Sequence, residues 1–233
     1  GEYPVMLLDD VLSELDEQFL PDGGQFELSP MYHALGFEDL LDLLNLVQYF
    51  PDLLPAEVVA RLRHHAGAAR RWLGLLSHPD GQIAFFNDAA FGVAPGNADL
   101  DRYAGQLGIP APPPPDAVEY LAASGYLRLA AGPGVLLADL ARIGPDYLPG
   151  HAHADTLSFE LSVFGQRVFV NSGTGEYGTG PERQRQRGTA AHNTVVLAGQ
   201  DSSEVWGGFR VGRRARPRDI AIATAADGTI TAT

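Results

Sequence analysis

The run Ala111-Pro-Pro-Pro-Pro115 separates two hydrophobic periodicities, and no other feature constrains the fold as much. Consecutive prolines favour an extended polyproline conformation and lack the amide donors that a helix interior or a central strand needs. Upstream, apolar residues recur at helical spacing. Residues 5–19 interleave them with acidic side chains, and residues 37–50 carry a broad apolar face that ends at Pro51. Residues 55–76 begin with proline in the first turn and run about six turns before His78-Pro-Asp-Gly81 stops them. Residues 99–107 suggest one more short helix. Downstream the spacing becomes that of strands, at residues 126–131, 134–140, 157–164 and 167–171, with weaker cases at 195–197 and 229–231. Gly132-Pro-Gly134 and Gly165-Gln166 supply tight turns between them. Helices followed by strands, rather than alternating with them, predict the α+β class, with a helical unit over residues 1–115 and an antiparallel β unit over 116–233.

At 233 residues the chain is long enough for one large domain or two modest ones. With 45% hydrophobic and 19% charged residues it has a globular composition, not a disordered one. No apolar run approaches the ~20 residues that span a bilayer. Gly1-Glu-Tyr-Pro-Val reads as ordinary protein sequence rather than as a secretion signal. The absence of cysteine removes disulfides and thiolate zinc sites. The net charge of −13 is uneven: residues 1–125 hold 19 of the 29 acidic and 5 of the 16 basic side chains. Its sign argues against general nucleic-acid binding, while a local basic surface on the second half would suit an anionic sugar chain. All 16 basic residues are arginine, which favours two-pronged recognition of carboxylate or sulfate, although a high-GC genome produces the same bias.

Three of the seven histidines fall between residues 150 and 196, each beside a strand-like segment. On a strand, His151, His153 and Asp155 would share one face. Two histidines at i and i+2, with His192 on a later strand, suit a metal site built on a sheet. A catalytic histidine beside a structural one, or polar residues on the wet face of an antiparallel sheet, would leave the same pattern.

The segments His151-Ala-His-Ala-Asp-Thr-Leu-Ser-Phe-Glu-Leu161, Val170-Asn-Ser-Gly-Thr174 and Ala191-His-Asn-Thr-Val195 resemble the sheet domain of the heparinase II/III-like polysaccharide lyases. Upstream, Leu20-Pro-Asp-Gly-Gly-Gln-Phe-Glu-Leu-Ser-Pro-Met-Tyr-His33 resembles the loop that carries the catalytic tyrosine in that family. Two separated blocks in the family's order are more specific than either alone, and the likeness covers most of the chain. It implies a partial (α/α) toroid followed by an antiparallel, β-sandwich-type sheet domain. The helical part is short for a toroid and the chain stops within a strand-like pattern at Thr231-Ala-Thr233. The expectation is therefore a piece of a longer enzyme, truncated at both ends and inactive alone.

Such lyases cleave a uronic-acid glycoside by β-elimination. The reaction needs a base at C5, an acid at the leaving oxygen, and neutralisation of the sugar carboxylate. By resemblance Tyr32 and His151 are the catalytic pair. From the residues alone, Tyr32 could equally be a half-buried aromatic capping the next helix. Glu27 and His33 would line the same cleft, unless His33 simply begins that helix. Arg183, Arg185 and Arg187 are expected in a long loop, with Arg187 the candidate for contacting a sugar carboxylate or sulfate. Residues 210–218 read as a surface strand and turn. His153 and His192 match family positions that hold a zinc ion, and Asn171 stands where the third ligand is usually aspartate. A neutral amide is a poorer zinc ligand, so the alternative is a metal-free hydrogen-bond cluster of these three residues. The family's carboxylate-neutralising asparagine has no counterpart before Tyr32, since Asn45 and Asn87 lie downstream. The resemblance also implies an anionic polysaccharide as partner and a periplasmic or secreted location. A cupin reading fails because Glu160 lies too far beyond His153. A non-catalytic polysaccharide-binding or assembly protein on the lyase scaffold remains as the competing class.

Overall fold

The computed structural model describes residues 3–225 and 229–233. Helices come first: α1 (Tyr3–Gln18), α2 (Pro30–Tyr49), α3 (Ala56–Leu75) and α4 (Asn97–Gln106). α2 starts where Ser29 caps it, the hydroxyl accepting from the Tyr32 amide at 3.2 Å, with Pro30 in the first turn where its missing N–H costs nothing. The next proline, Pro51, follows its end. Phe37, Leu40, Leu41 and Leu44 of α2 pack against Val58, Leu62, Ala66 and Leu73 of α3, and Leu100 and Ala104 of α4 close the cluster. Each large apolar side chain buried there contributes about 1.5–3 kcal/mol. Among the described residues no helix is long and apolar enough to cross a membrane.

The second half is built on an antiparallel sheet in chain order, β1 (Val118–Leu121), β2 (Tyr126–Ala131), β3 (Gly134–Asp139), β4 (Phe159–Val163) and β5 (Gln166–Phe169). The molecule is thus α+β. Two short hairpins follow, β6 (Val205–Trp206) with β7 (Arg210–Val211) and β8 (Ile222–Thr224) with β9 (Ile230–Ala232). The β4–β5 turn is made by Phe164 and Gly165, one residue earlier than expected. Both have positive φ, 52° and 75°, the mirror-image turn that matches strand twist.

Several local expectations are corrected. Residues 151–155 are an irregular loop leading to β4, not a strand. Residues 195–197 make only a single bridge, Leu197 to Gln200. Residues 181–187, read as loop, form a short helix, α5 (Pro181–Arg187), opened by proline in its first turn. β1 was not anticipated, because four residues are too few to show a period.

The proline run lies exposed on the surface, but the cores on its two sides are not separate. Trp72 and Leu76, at the end of α3 and just beyond, pack with Leu121, Tyr126, Leu137 and Phe86 in one cluster. A second tie is polar. β4 turns Glu160 and Ser162 inward, and the buried His78 meets both, Nε2 to the Glu160 carboxylate at 2.7 Å and Nδ1 to the Ser162 hydroxyl at 2.7 Å. The other Glu160 oxygen accepts from the amides of Phe85, 3.1 Å, and Asn171, 2.8 Å.

Candidate active site

Tyr32 reaches the boundary between helices and sheet because the loop before it is tightly moulded. Gly23 has φ +92°, and a Cβ there would fall 2.4 Å from the Ala68 carbonyl oxygen. A Cβ on Gly24 would fall 2.6 Å from Trp72 Nε1. Asp22 accepts from the Ser124 amide at 2.7 Å, tying the loop to the sheet side. His33 completes the anchor. Its Nδ1 accepts from the Gln25 amide at 3.1 Å, which leaves Nε2–H to donate to the Ala69 carbonyl at 2.9 Å. The ring stacks 4.3 Å from Trp72, and burial pushes its pKa down to about 4. His33 is therefore a buried neutral pin, not the cleft-lining group expected.

Tyr32 and His151 are brought face to face, with ring centroids 3.9 Å apart and planes inclined by 32°. The Tyr32 hydroxyl meets the Tyr177 hydroxyl at 2.8 Å. His151 Nδ1 lies 3.0 Å from Asp88 Oδ2, and its Nε2 lies 3.7 Å from Glu27 Oε1, so Glu27 does line the site. Burial raises the pKa of Tyr32, and the Asp88 and Glu27 charges add to this against the opposing Tyr177 hydrogen bond and Arg183 charge. Tyr177 is raised as well, by burial first and then by its bond to Tyr32. Both phenols are thus held protonated.

The sequence did not single out the group on which the site is centred. Asp88 is fully buried and receives a two-pronged contact from Arg183, with Nη2 to Oδ2 at 2.8 Å and Nη1 on Oδ1. It also receives His153 Nε2 at 2.8 Å and the Thr174 hydroxyl at 2.8 Å. Burial alone would raise its pKa, but the hydrogen bonds from His151, His153 and Arg183 outweigh that and hold the carboxyl well below the usual carboxylate range. The available signal was a charged residue inside the apolar stretch Ile83-Ala-Phe-Phe-Asn-Asp-Ala-Ala-Phe91. Arg183 lies under Tyr177 and Phe209, 5.1 and 5.4 Å from their ring centres. Those two aromatics complete the wall around His151.

Arg187 is also fully buried. Its Nε and Nη2 donate to the Ala152 carbonyl at 3.1 and 2.9 Å, and Nη2 reaches the Arg210 carbonyl at 3.2 Å. It fastens the His151 loop to the β6–β7 hairpin and does not face a sugar, which corrects the expectation. Arg185 is exposed and paired with Glu182. Asn87 donates to the Leu28 carbonyl and accepts from the His153 amide, so its amide is spent inside the fold.

Comparison with known proteins agrees with this architecture. A family model described as "Heparinase II/III N-terminus" matches residues 6–95, and one described as "Heparinase II/III-like, C-terminal" matches residues 113–232. The chain belongs to the heparinase II/III family. Among curated proteins none matches it. Solved heparinases share the fold. Heparinase III aligns with TM-score 0.68 and 20% identity over 93% of this chain and 36% of its own. The heparan sulfate lyase HepC from Pedobacter heparinus aligns with TM-score 0.64 and 21% identity over 85% of this chain and 34% of its own. The chain thus spans about a third of the length of the solved heparinases it matches.

In this heparinase II/III chain the residues expected to hold zinc are partly assembled. His153 Nδ1 and His192 Nε2 face one another at 3.1 Å. His153 Nε2–H points at Asp88, and His192 Nδ1–H points at the Gly188 carbonyl, 2.9 Å away. In the neutral rings both facing nitrogens therefore carry lone pairs, an arrangement that a shared cation relieves. Burial, the first cause, lowers the His192 pKa, which favours that neutral form. Zinc–nitrogen bonds of about 2.0–2.1 Å in a tetrahedron would place two nitrogens about 3.3 Å apart, close to the separation seen. Asn171 fits less well. Its Oδ1 already accepts from the Asn193 amide at 3.1 Å, and its buried Nδ2 has no partner. Among the described residues no three His, Cys, Asp or Glu side chains are grouped to hold a metal. The pair fits a cation; the ligand set is one carboxylate short.

Proposed function

We propose that this chain carries the acid–base pair of a polysaccharide lyase that cleaves a uronic-acid-containing chain by β-elimination. The stacked contact of Tyr32 and His151 is the observation that supports the reading most strongly, since it joins two proton-transfer groups from opposite halves of the molecule. With Nδ1 turned to Asp88, His151 offers Nε2 as the base that takes the C5 proton. The electron pair released at C5 passes through the sugar carboxylate and then forms the C4–C5 double bond as the C4–oxygen bond breaks. Tyr32, kept as a phenol by burial, is suited to give its proton to the departing oxygen. The Tyr177 hydroxyl, bonded to Tyr32, would stabilise the phenolate left behind, which regains a proton from solvent as His151 gives up the C5 proton to solvent.

The proposed substrate is an anionic polysaccharide, and the resemblance to the family implies a periplasmic or secreted location. His153 and His192 would hold a zinc ion as a structural pin behind Asp88, and no chemical step runs through it. One observation favours the rival reading of a polysaccharide-binding scaffold: the arginines nearest the site, Arg183 and Arg187, are buried rather than offered to a sugar.

The deciding experiment follows the ultraviolet absorbance of the unsaturated uronate while the full-length protein is incubated with a panel of uronate polysaccharides. Tyr32→Phe and His151→Ala are each expected to lower the rate at least ~100-fold while polysaccharide binding persists. A flat trace across the panel, with binding intact, would instead establish the scaffold reading.

A further inference from the structure

We propose that Asp88 is the positioning residue of this site, its single carboxylate setting the tautomers of His151 and His153 in opposite senses. Its Oδ1 accepts from Arg183, from His153 Nε2 at 2.8 Å and from the Thr174 hydroxyl at 2.8 Å. Oδ2 accepts from Arg183 Nη2 at 2.8 Å and from His151 Nδ1 at 3.0 Å. An ionised carboxylate only accepts, so each ring nitrogen that faces it must carry a proton. His151 is thereby the Nδ1–H tautomer and His153 the Nε2–H tautomer.

The consequences diverge. His151 is left with a bare Nε2 on the Glu27 side, 3.7 Å from that carboxylate, beside the Tyr32 ring. His153 is left with a bare Nδ1 turned toward His192. Arg183 makes a two-pronged contact that balances the Asp88 charge in a fully buried place.

The backbone of Asp88 adds a second level of control. Its amide donates to the His151 carbonyl at 3.0 Å, and its carbonyl accepts from the Ser29 hydroxyl. That same hydroxyl accepts from the Tyr32 amide as the cap of α2. Asp88 therefore touches His151 directly and Tyr32 through one intervening residue. The effect on turnover rests on the lyase reading; the tautomers do not.

The test is a long-range proton–nitrogen correlation spectrum of the histidines in the full chain, together with steady-state kinetics. His151 is expected with its proton on Nδ1 and His153 with its proton on Nε2; the opposite assignment for either ring overturns the proposal. In Asp88→Asn the amide offers one oxygen and one N–H group, so only one histidine keeps its acceptor and the other is expected to switch tautomer. On a uronate polymer this variant is expected to lose about 10²–10⁴-fold in kcat with KM little changed, the pattern of a misdirected ring. Unchanged tautomers and kcat would overturn the assignment. If the variant does not fold, the wild-type spectrum still decides, and because that spectrum needs no substrate, absence of lyase activity leaves it readable.

Discussion

At Asn171 a single side chain separates two kinds of site. The facing nitrogens of His153 and His192 lie at the spacing of two ligands on one cation, while the Asn171 amide has one oxygen already engaged and one buried N–H group without a partner. Asn171→Asp would keep the acceptor for the Asn193 amide and supply the missing negative ligand. Calorimetric titration of zinc into the metal-free variant is expected to show affinity raised about tenfold or more over wild type. Without zinc the variant should be less stable than wild type, because a carboxylate replaces a neutral amide in a buried place. Equal zinc affinity in the two proteins would remove Asn171 from the ligand set. Arg183 and Arg187 show how a residue's type misleads when its partner is remote. Both look like surface arginines in Pro181-Glu-Arg-Gln-Arg-Gln-Arg187, yet both are buried. Guanidinium tolerates this only where acceptors surround it, here Asp88 for one and backbone carbonyls for the other.

At the scale of elements, the loop before α2 decides where Tyr32 points. A methyl group on Gly24 would collide with Trp72 Nε1 at 2.6 Å and with Ser124 Cβ at 3.0 Å, neighbours that are themselves buried and hydrogen-bonded to each other. Gly24→Ala is therefore expected to cost about 1–3 kcal/mol in urea unfolding. Turnover should fall as well, since the loop carries the start of α2. Gly67→Ala on α3, where nothing lies within 4 Å, is the control and should stabilise by about 0.5–1 kcal/mol. A neutral Gly24→Ala would mean that the loop adapts and does not aim Tyr32. The elements that repeat over several turns or alternate over five or six residues were legible, as α2, α3, β2 and β3 show. β1 and α5 were not, because four and seven residues carry too little period to stand out. Residues 151–155 were misassigned for a different reason. His151, His153 and Asp155 do all turn to the segment around Asn87 and Asp88, but an extended loop gives the same alternation as a strand.

For the whole molecule, the question is whether the helices and the sheet are one cooperative unit. The cluster around Trp72, Tyr126 and Leu137 and the buried contact of His78 with Glu160 and Ser162 both cross from one half to the other. Removing the Glu160 carboxylate would leave His78 Nε2 and the amides of Phe85 and Asn171 unpaired in a buried place. Glu160→Ala is expected to destabilise the protein by about 3–5 kcal/mol. Amide hydrogen exchange should then show protection falling together in α3 and β4. Loss confined to the sheet, with the helices still protected, would show two independent folding units. Breaking the exposed Arg102–Asp99 pair should cost no more than about 1 kcal/mol.

By itself the sequence determined the order of helices and strands and the two motif blocks that contain Tyr32 and His151. These are local properties, carried by the 3.6-residue and two-residue periods and by short runs of neighbours. Only the tertiary structure decided that Tyr32 and His151 stack, that Asp88 holds two histidines and an arginine at once, and that His33 and Arg187 turn inward. Asp88 meets its partners across 63 to 95 residues of chain. A buried charge is stable only where folding delivers the opposite charge and the donors to it, and no local pattern records which distant residues those will be.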